Sequence, residues 1–354
     1  MQKLFFSILR DSLWREGEMT LPQKLSEKEA REVSALAEKQ TVSGLVIDAL
    51  FRHEVKMPQM MIYEAIGQHG QIKQQSRAAN KGVVELNNLF ASSGVDYVVV
   101  KGQVVASYYP DALLRQSGDI DYYCDNANFE KAQRAVADRW GIAPETERSE
   151  KHAHFENNGI TYEGHFALLT LYGKKERDYW QQLLKNDKDG VVIIDSVEVR
   201  TLSPTVHVLY VFLHLYNHLM KLGVGLRQFC DLAVMLHYAK EQIDMVVLRG
   251  HLRALGMERA YRACGSILVD YIGLSESDLG YTLTDTDRKY GKRILSVVMY
   301  RGNMGHHNKF GGFHGWKHKV GALGIKLSHF AKFAPLAPNY SCGWLCHEIK
   351  RHLN

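Results

Sequence analysis

Asp119-Ile120-Asp121 is the stretch of this 354-residue chain whose residue types and spacing most directly suggest chemistry. On a strand the side chains alternate between faces, so the two carboxylates share one face and Ile120 takes the other. Two like charges side by side on a sheet repel each other and destabilise it unless a cation lies between them. An oxygen-only ligand set of this kind suits Mg²⁺, which keeps several waters and takes further ligands from a bound phosphate. The plain alternative is a solvated strand end. Upstream, Val98, Val99 and Val100 form the short apolar run expected of a strand buried on both faces. It stops at Lys101-Gly102, where the chain can form one or two helical turns to Tyr109. A loop, Leu114-Arg115-Gln116-Ser117-Gly118, leads back to Asp119. Gly102 is either an ordinary turn glycine or one that lets backbone N–H groups at a helix start approach a phosphate.

The next informative piece lies downstream. His152-Ala-His154-Phe-Glu156 alternates polar and apolar, Asn157-Asn158-Gly159 turns, and Ile160-Thr-Tyr-Glu163-Gly-His165-Phe166 alternates again. An Asn-Gly two-residue loop is a strong hairpin signal. With Asn158-Gly159 as that loop, His154 lies opposite Glu163 and His152 opposite His165, all on one face. Ala153, Phe155, Tyr162 and Phe166 then face the core. From its own residues, Glu163 is a polar strand residue paired with His154. His165 shares its face and is a packed histidine or a contact of whatever binds at Asp119 and Asp121.

Strand, Lys101-Gly102, helix and Leu114-Arg115-x-x-Gly118-Asp119-Ile120-Asp121 together resemble the uncharacterised nucleotidyltransferase family of the polymerase-beta-like superfamily. Lys101-Gly102 stands where Gly-Ser is common in that superfamily, and the gap to Asp119 is longer than in its commonest members. The resemblance implies an α+β fold: a small mixed sheet flanked by N-terminal helices and a C-terminal helical domain. It also implies transfer of a nucleoside monophosphate from a nucleoside triphosphate such as ATP to a hydroxyl, with release of pyrophosphate. By the same resemblance, Asp119, Asp121 and Glu163 would hold two Mg²⁺ ions, and Lys101, Arg115 and the Gly102 backbone would hold the triphosphate tail. A Gly-x-Arg…Asp-Leu helix is matched by Gly225 to Leu232. There Arg227 and Asp231 lie one turn apart and can pair, so Arg227 is either a nucleotide contact or half of a helix-surface ion pair.

The rest of the chain must position these residues. Residues 1–92 read as helical: Ser26 and Glu29 form a capping box opening a helix to about Gln40, and a second helix spans Val42 to His53. One or two helices follow from Met60 to Ser93. Asn128 to Trp140 is amphipathic and closed by Gly141. A helix from Lys174 to Lys185 precedes two strands, Val191–Ile194 and Val197–Leu202, expected to end the sheet. Ser203-Pro204 starts a helix, and we place the boundaries of three segments at 1–92, 93–202 and 203–354. The helix from His207 to Lys221 carries a polar stripe of Tyr210, His214, Asn217, His218 and Lys221. Its His214/His218 pair has metal-ligand spacing but no H-E-x-x-H flank. Further helices are expected at Asp244–Leu255, Met257–Ile272, Asp285–Tyr300 and Val320–Phe333.

Composition limits the partners. With 45% hydrophobic and 23% charged residues this is the composition of a water-soluble globular protein. Five cysteines without a CxxC pair fit reduced thiols in a cytoplasm. No window reaches the ~20 apolar residues of a membrane span. The net charge of +5 hides a basic tail of +7 over residues 301–354. Phe310, Phe313 and Trp316 in that tail invite a nucleic-acid reading, but glycines dominate there and no continuous basic stripe forms, so an interaction with nucleic acid is not favoured. A catalytically inactive nucleotide- or partner-binding module and a nucleotidyltransferase acting on nucleic acid are the alternatives the sequence leaves open.

Overall fold

The computed structural model describes residues 1–15, 21–142, 152–187, 190–221, 223–302, 324 and 327–353. Phe310, Phe313, Trp316 and much of the helix expected from Val320 lie outside the described residues.

The chain begins with four helices: α1 (Gln2–Trp14), α2 (Glu27–Gln40), α3 (Ser43–Arg52) and α4 (Gln59–Ser92). The capping box at α2 is present, with the Glu29 backbone N–H donating to the Ser26 hydroxyl and the Ser26 N–H to the Glu29 carboxylate. Helix α4 is one unbroken helix of 34 residues. It leads into β1 (Val98–Val100), the short α5 (Gly102–Ala106), β2 (Asp119–Tyr123), α6 (Asn126–Trp140) and a hairpin of β3 (His152–Asn157) and β4 (Ile160–His165). The fold class is α+β, with a four-stranded sheet in the order β1-β2-β4-β3. It is mixed: β2 and β4 run parallel, the other neighbours antiparallel.

The hairpin register is as the sequence predicts, with His154 opposite Glu163 and His152 opposite His165. Asn158 and Gly159 both have positive φ, 51° and 72°, which matches the right-handed twist of the flanking strands. One face of the sheet is dry. Ile120, Tyr122, Tyr162 and Ala153 pack there with Val83, Leu86 and Phe90 of α4 and with Phe129, Ala132 and Val136 of α6. Helix and sheet meet closely at Gly82, where a Cβ would come within 2.8 Å of the Tyr162 hydroxyl and 2.9 Å of Ile120.

After α7 (Lys174–Asn186), β5 (Gly190–Ile194) and β6 (Val197–Thr201) form a separate two-stranded sheet. The expectation that they end the main sheet is corrected. β5 buries every second residue: Val192 and Ile194 join the core, while Val191 and Ile193 are exposed. This is the alternation of an antiparallel pair with one face on the core and the other in water.

The C-terminal half is helical: α8 (Pro204–Lys221), α9 (Leu226–Tyr238), α10 (Met245–Ala254), α11 (Glu258–Ile267, continued by one π-helical turn to Ile272), α12 (Glu276–Leu279) and α13 (Asp285–Arg301). A last helix, Pro338–Leu353, has no counterpart in the sequence reading. No described helix is long and apolar enough to cross a membrane. One large core joins α1–α3 to α8–α13 and reaches Phe333 and Trp344, both fully buried.

The C-terminal segment also braces α8. Tyr216 donates to the Phe333 carbonyl at 3.2 Å, and Tyr340 donates to Asn217 at 2.7 Å. Trp344→Ala is therefore expected to cost about 3–5 kcal/mol in chemical denaturation, the usual cost of emptying a buried aromatic site. A chain ending at residue 323 should lose its cooperative melt. A truncated protein melting like the full chain would mean that this packing contributes little.

Candidate active site

The parallel pairing of β2 and β4 brings the acidic residues together. Asp119 lies opposite Thr161, Asp121 opposite Glu163 and Tyr123 opposite His165. With a side-chain period of two, Asp119, Asp121, Glu163 and His165 all project from the face opposite the dry one. Asp121, Glu163 and His165 offer ligand atoms within 4.8 Å of one another. His165 Nε2 is 2.8 Å from Asp121 Oδ1 and 3.6 Å from Glu163 Oε2. Gly164 between them is required by space: a Cβ there would meet the Tyr122 hydroxyl at 2.4 Å.

Lys101 completes the cluster. Its ammonium lies 2.5 Å from Asp121 Oδ1. The backbone places it there at φ 54°, ψ −139°, a conformation rare for any residue with a Cβ and costing on the order of 1–3 kcal/mol. Two contacts hold it: the ion pair, and the Lys101 N–H donating to His207 Nε2 at 3.2 Å. Gly102 follows at φ 37° and approaches the Asp119 carbonyl.

These contacts set the protonation states. Burial acts to raise the Asp121 pKa, but Lys101 and His165 outweigh it and hold the carboxyl well below the usual range. Asp119 is raised, first by the charge of Asp121 and then by burial. Glu163 is pushed up to about 8 by burial and then by Asp121, so near neutral pH it keeps a proton that can bridge to its neighbours. Between its ordinary 4.5 and about 8, the folded chain holds this proton and the unfolded chain does not. The stability this group contributes therefore falls as pH rises across that window. Glu163→Gln should flatten that slope and melt higher than wild type at pH 8. Thermal melts at pH 5 and pH 8 check this, and equal slopes would remove Glu163 as the titrating group.

The opposite wall comes from α8 and α9. The stripe read in the sequence faces inward: His214, Asn217, His218 and Lys221 line the same cavity as the carboxylates, about 290 Å³ in volume, together with Arg227. The His214 and His218 rings are 4.4 Å apart. Burial lowers both pKa values, that of His218 to about 4, so both rings are neutral. Of the two readings of Arg227, the helix-surface ion pair with Asp231 is not formed. Asp231 is held by Arg115 through two bonds of 2.7 and 2.9 Å, and it accepts a third from the Tyr109 hydroxyl at 2.7 Å. Arg227 donates instead to the Gln116 carbonyl at 2.6 Å. Asp231 faces the loop before β2, across more than a hundred residues of chain, and helix spacing alone gave no sign of that partner.

A family model described as uncharacterised nucleotidyltransferase matches residues 26–272, a span that includes every residue of this cavity. The chain belongs to that family. No curated protein matches it. Among solved structures it is similar to an antigenic nucleotidyltransferase-like protein from Paracoccidioides brasiliensis, at 14% identity and a TM-score of 0.35, over 58% of this chain and 94% of that one. That likeness is too distant for a residue-level comparison.

For a member of a nucleotidyltransferase family the relevant question is whether the cluster fits a divalent cation. Three carboxylates on adjacent strands, with their repulsion relieved by one ammonium and one retained proton, form an oxygen-rich set suited to a hard cation. Asp121, Glu163 and His165 have the mutual spacing for a shared ion, with Asp119 beside them in hydrogen-bond contact with Glu163.

Proposed function

We propose that the protein transfers a nucleoside monophosphate from a nucleoside triphosphate, ATP being the first to test, to a hydroxyl of a small molecule or protein, releasing pyrophosphate. The observation that carries this reading is the convergence of Asp119, Asp121 and Glu163 on one face of adjacent parallel strands, beneath a basic wall from α8 and α9. Mg²⁺ held by these carboxylates would neutralise charge developing on the attacking and leaving oxygens. The acceptor oxygen forms a bond to the α-phosphorus while the bond from that phosphorus to the bridging oxygen breaks, and pyrophosphate carries the electron pair away. Glu163 on β4, opposite Asp121, would either complete the cation's ligands or, left free, take the hydroxyl proton. Lys101, paired with Asp121, would become available to phosphate oxygens if a cation took over that charge.

The test is a screen of nucleoside triphosphates against pooled metabolites with Mg²⁺, read as pyrophosphate release, with Asp119→Asn as control. Release that depends on the acceptor pool and is lost in the variant supports the reading. Tight triphosphate binding without release against any acceptor would favour a binding module instead.

A further inference from the structure

The charges around the cavity are unequally partnered. Lys101 has Asp121 at 2.5 Å, and Arg115 has Asp231 at 2.7 Å. Arg227 lines the same cavity, and among the described residues no carboxylate lies within ion-pair distance of it. Asp231, its neighbour one turn along α9, is already taken. The Arg227 Nε is buried without a hydrogen-bond partner, and so is His218 Nδ1 across the α8–α9 break. Lys221, at the end of α8, lines the same corner. A buried donor left unsatisfied costs about 1–3 kcal/mol, and more when it is charged. Arg227 is half-buried and donates one bond, to the Gln116 carbonyl, but its unsatisfied Nε and a second guanidinium at Arg115 that works against its charge favour an anion supplied by a ligand. The Lys101-Gly102 turn, by contrast, is occupied: the Lys101 N–H is given to His207 and its ammonium to Asp121.

We propose that Arg227, His218 and Lys221 form a subsite for the terminal phosphates of a polyphosphate, and that this subsite binds without a divalent cation. The proposal rests on the nucleotidyl-transfer reading for the identity of the anion. It orients the substrate, with the α-phosphorus over the β2–β4 carboxylates and the tail running toward the α8–α9 break. Guanidinium forks match phosphate oxygens in geometry, and a neutral histidine nitrogen supplies one more donor.

The experiment is calorimetric titration of inorganic tripolyphosphate into the full chain in EDTA. Wild type should bind, Arg227→Gln should bind roughly tenfold or more weakly, as for loss of a charge-assisted hydrogen bond, and His218→Asn should weaken binding less. Arg253→Gln, at an exposed arginine of α10, controls for the general field and should bind as wild type. The melting temperature of Arg227→Gln should be close to that of wild type, because the glutamine amide can still donate to the Gln116 carbonyl that Arg227 now holds. No tripolyphosphate binding by wild type, equal binding by Arg227→Gln, or an equal loss in Arg253→Gln would overturn the subsite. The outcome separates it from the reaction: binding lost in Arg227→Gln with no nucleotidyl transfer leaves the subsite standing and the reaction in error. Transfer with an unchanged KM for the triphosphate in Arg227→Gln does the reverse.

Discussion

Asp121→Asn should lower the melting temperature of the cation-free protein, whereas Asp119→Asn, two residues away, should leave it unchanged or raise it. The two carboxylates share one face of β2, and from the sequence alone both substitutions would be expected to relieve repulsion equally. Lys101 breaks that symmetry. Its ammonium contacts Asp121 at 2.5 Å, with side-chain exposures of 15% and 3%. Removing one charge from such a pair leaves the other buried without compensation, which costs about 3–5 kcal/mol. Asparagine keeps a carbonyl oxygen for the ammonium, so the lower end applies. Asp119 is instead raised by its neighbour's charge, so neutralising it removes an unfavourable interaction. The pH dependence has the matching sign. Asp121, held below the usual range, contributes stability above the unfolded carboxylate pKa of about 4, and this is lost as pH falls below it. If the proposed transfer is the reaction and these carboxylates hold its cation, both variants should lose turnover about 100-fold or more, since even outer partners of a metal ligand cost 10–100-fold. Differential scanning calorimetry in EDTA decides: equal melting temperatures would mean that Lys101 does not compensate Asp121.

The residues of this site were legible wherever local pattern governs geometry. Period-two alternation placed Asp119 with Asp121 and Glu163 with His165, and the Asn158-Gly159 turn fixed the hairpin register, because turn chemistry and strand pleat are properties of neighbouring residues. The polar stripe of α8 was legible as a stripe. Its facing the carboxylates was not, since that depends on how the C-terminal helices pack onto the sheet. The ion pairs were least legible. Helix spacing allowed Arg227 to pair with Asp231, a contribution of only a few tenths of a kcal/mol on a helix surface. Burial of the α9 face made a two-pronged bond from Arg115 far more valuable. The edge position expected for β5 and β6 failed for a related reason: their alternation shows one buried face, but not which layer covers it. The C-terminal helix was missed because glycine, proline and scattered aromatics around it hide its periodicity.

The Arg115–Asp231 pair should prove structural. Asp231→Ala is expected to destabilise the fold by about 3–5 kcal/mol, a large share of the roughly 5–15 kcal/mol that holds a native protein together. The loss strands Arg115, whose side chain is 6% exposed, and leaves the Tyr109 hydroxyl without its acceptor. Arg115→Lys should also destabilise, because a single ammonium cannot reproduce the two bonds to Oδ1 and Oδ2. The double variant Arg115→Met/Asp231→Leu, which removes both charges, should recover part of the loss, as replacing a buried pair by apolar groups often does. A triphosphate contact at Arg115 would behave differently. Arg115→Lys would then keep its melting temperature and bind triphosphate more weakly, and the double variant would recover nothing. Chemical denaturation of the three variants, alongside tripolyphosphate titration of each, separates the two. Since Arg115 stands in the loop that feeds β2 and Asp231 on the wall opposite, this pair sets the distance between the carboxylates and Arg227. Any loss of turnover in these variants should therefore track the loss of folded protein, with the remaining folded fraction keeping its affinity for phosphate.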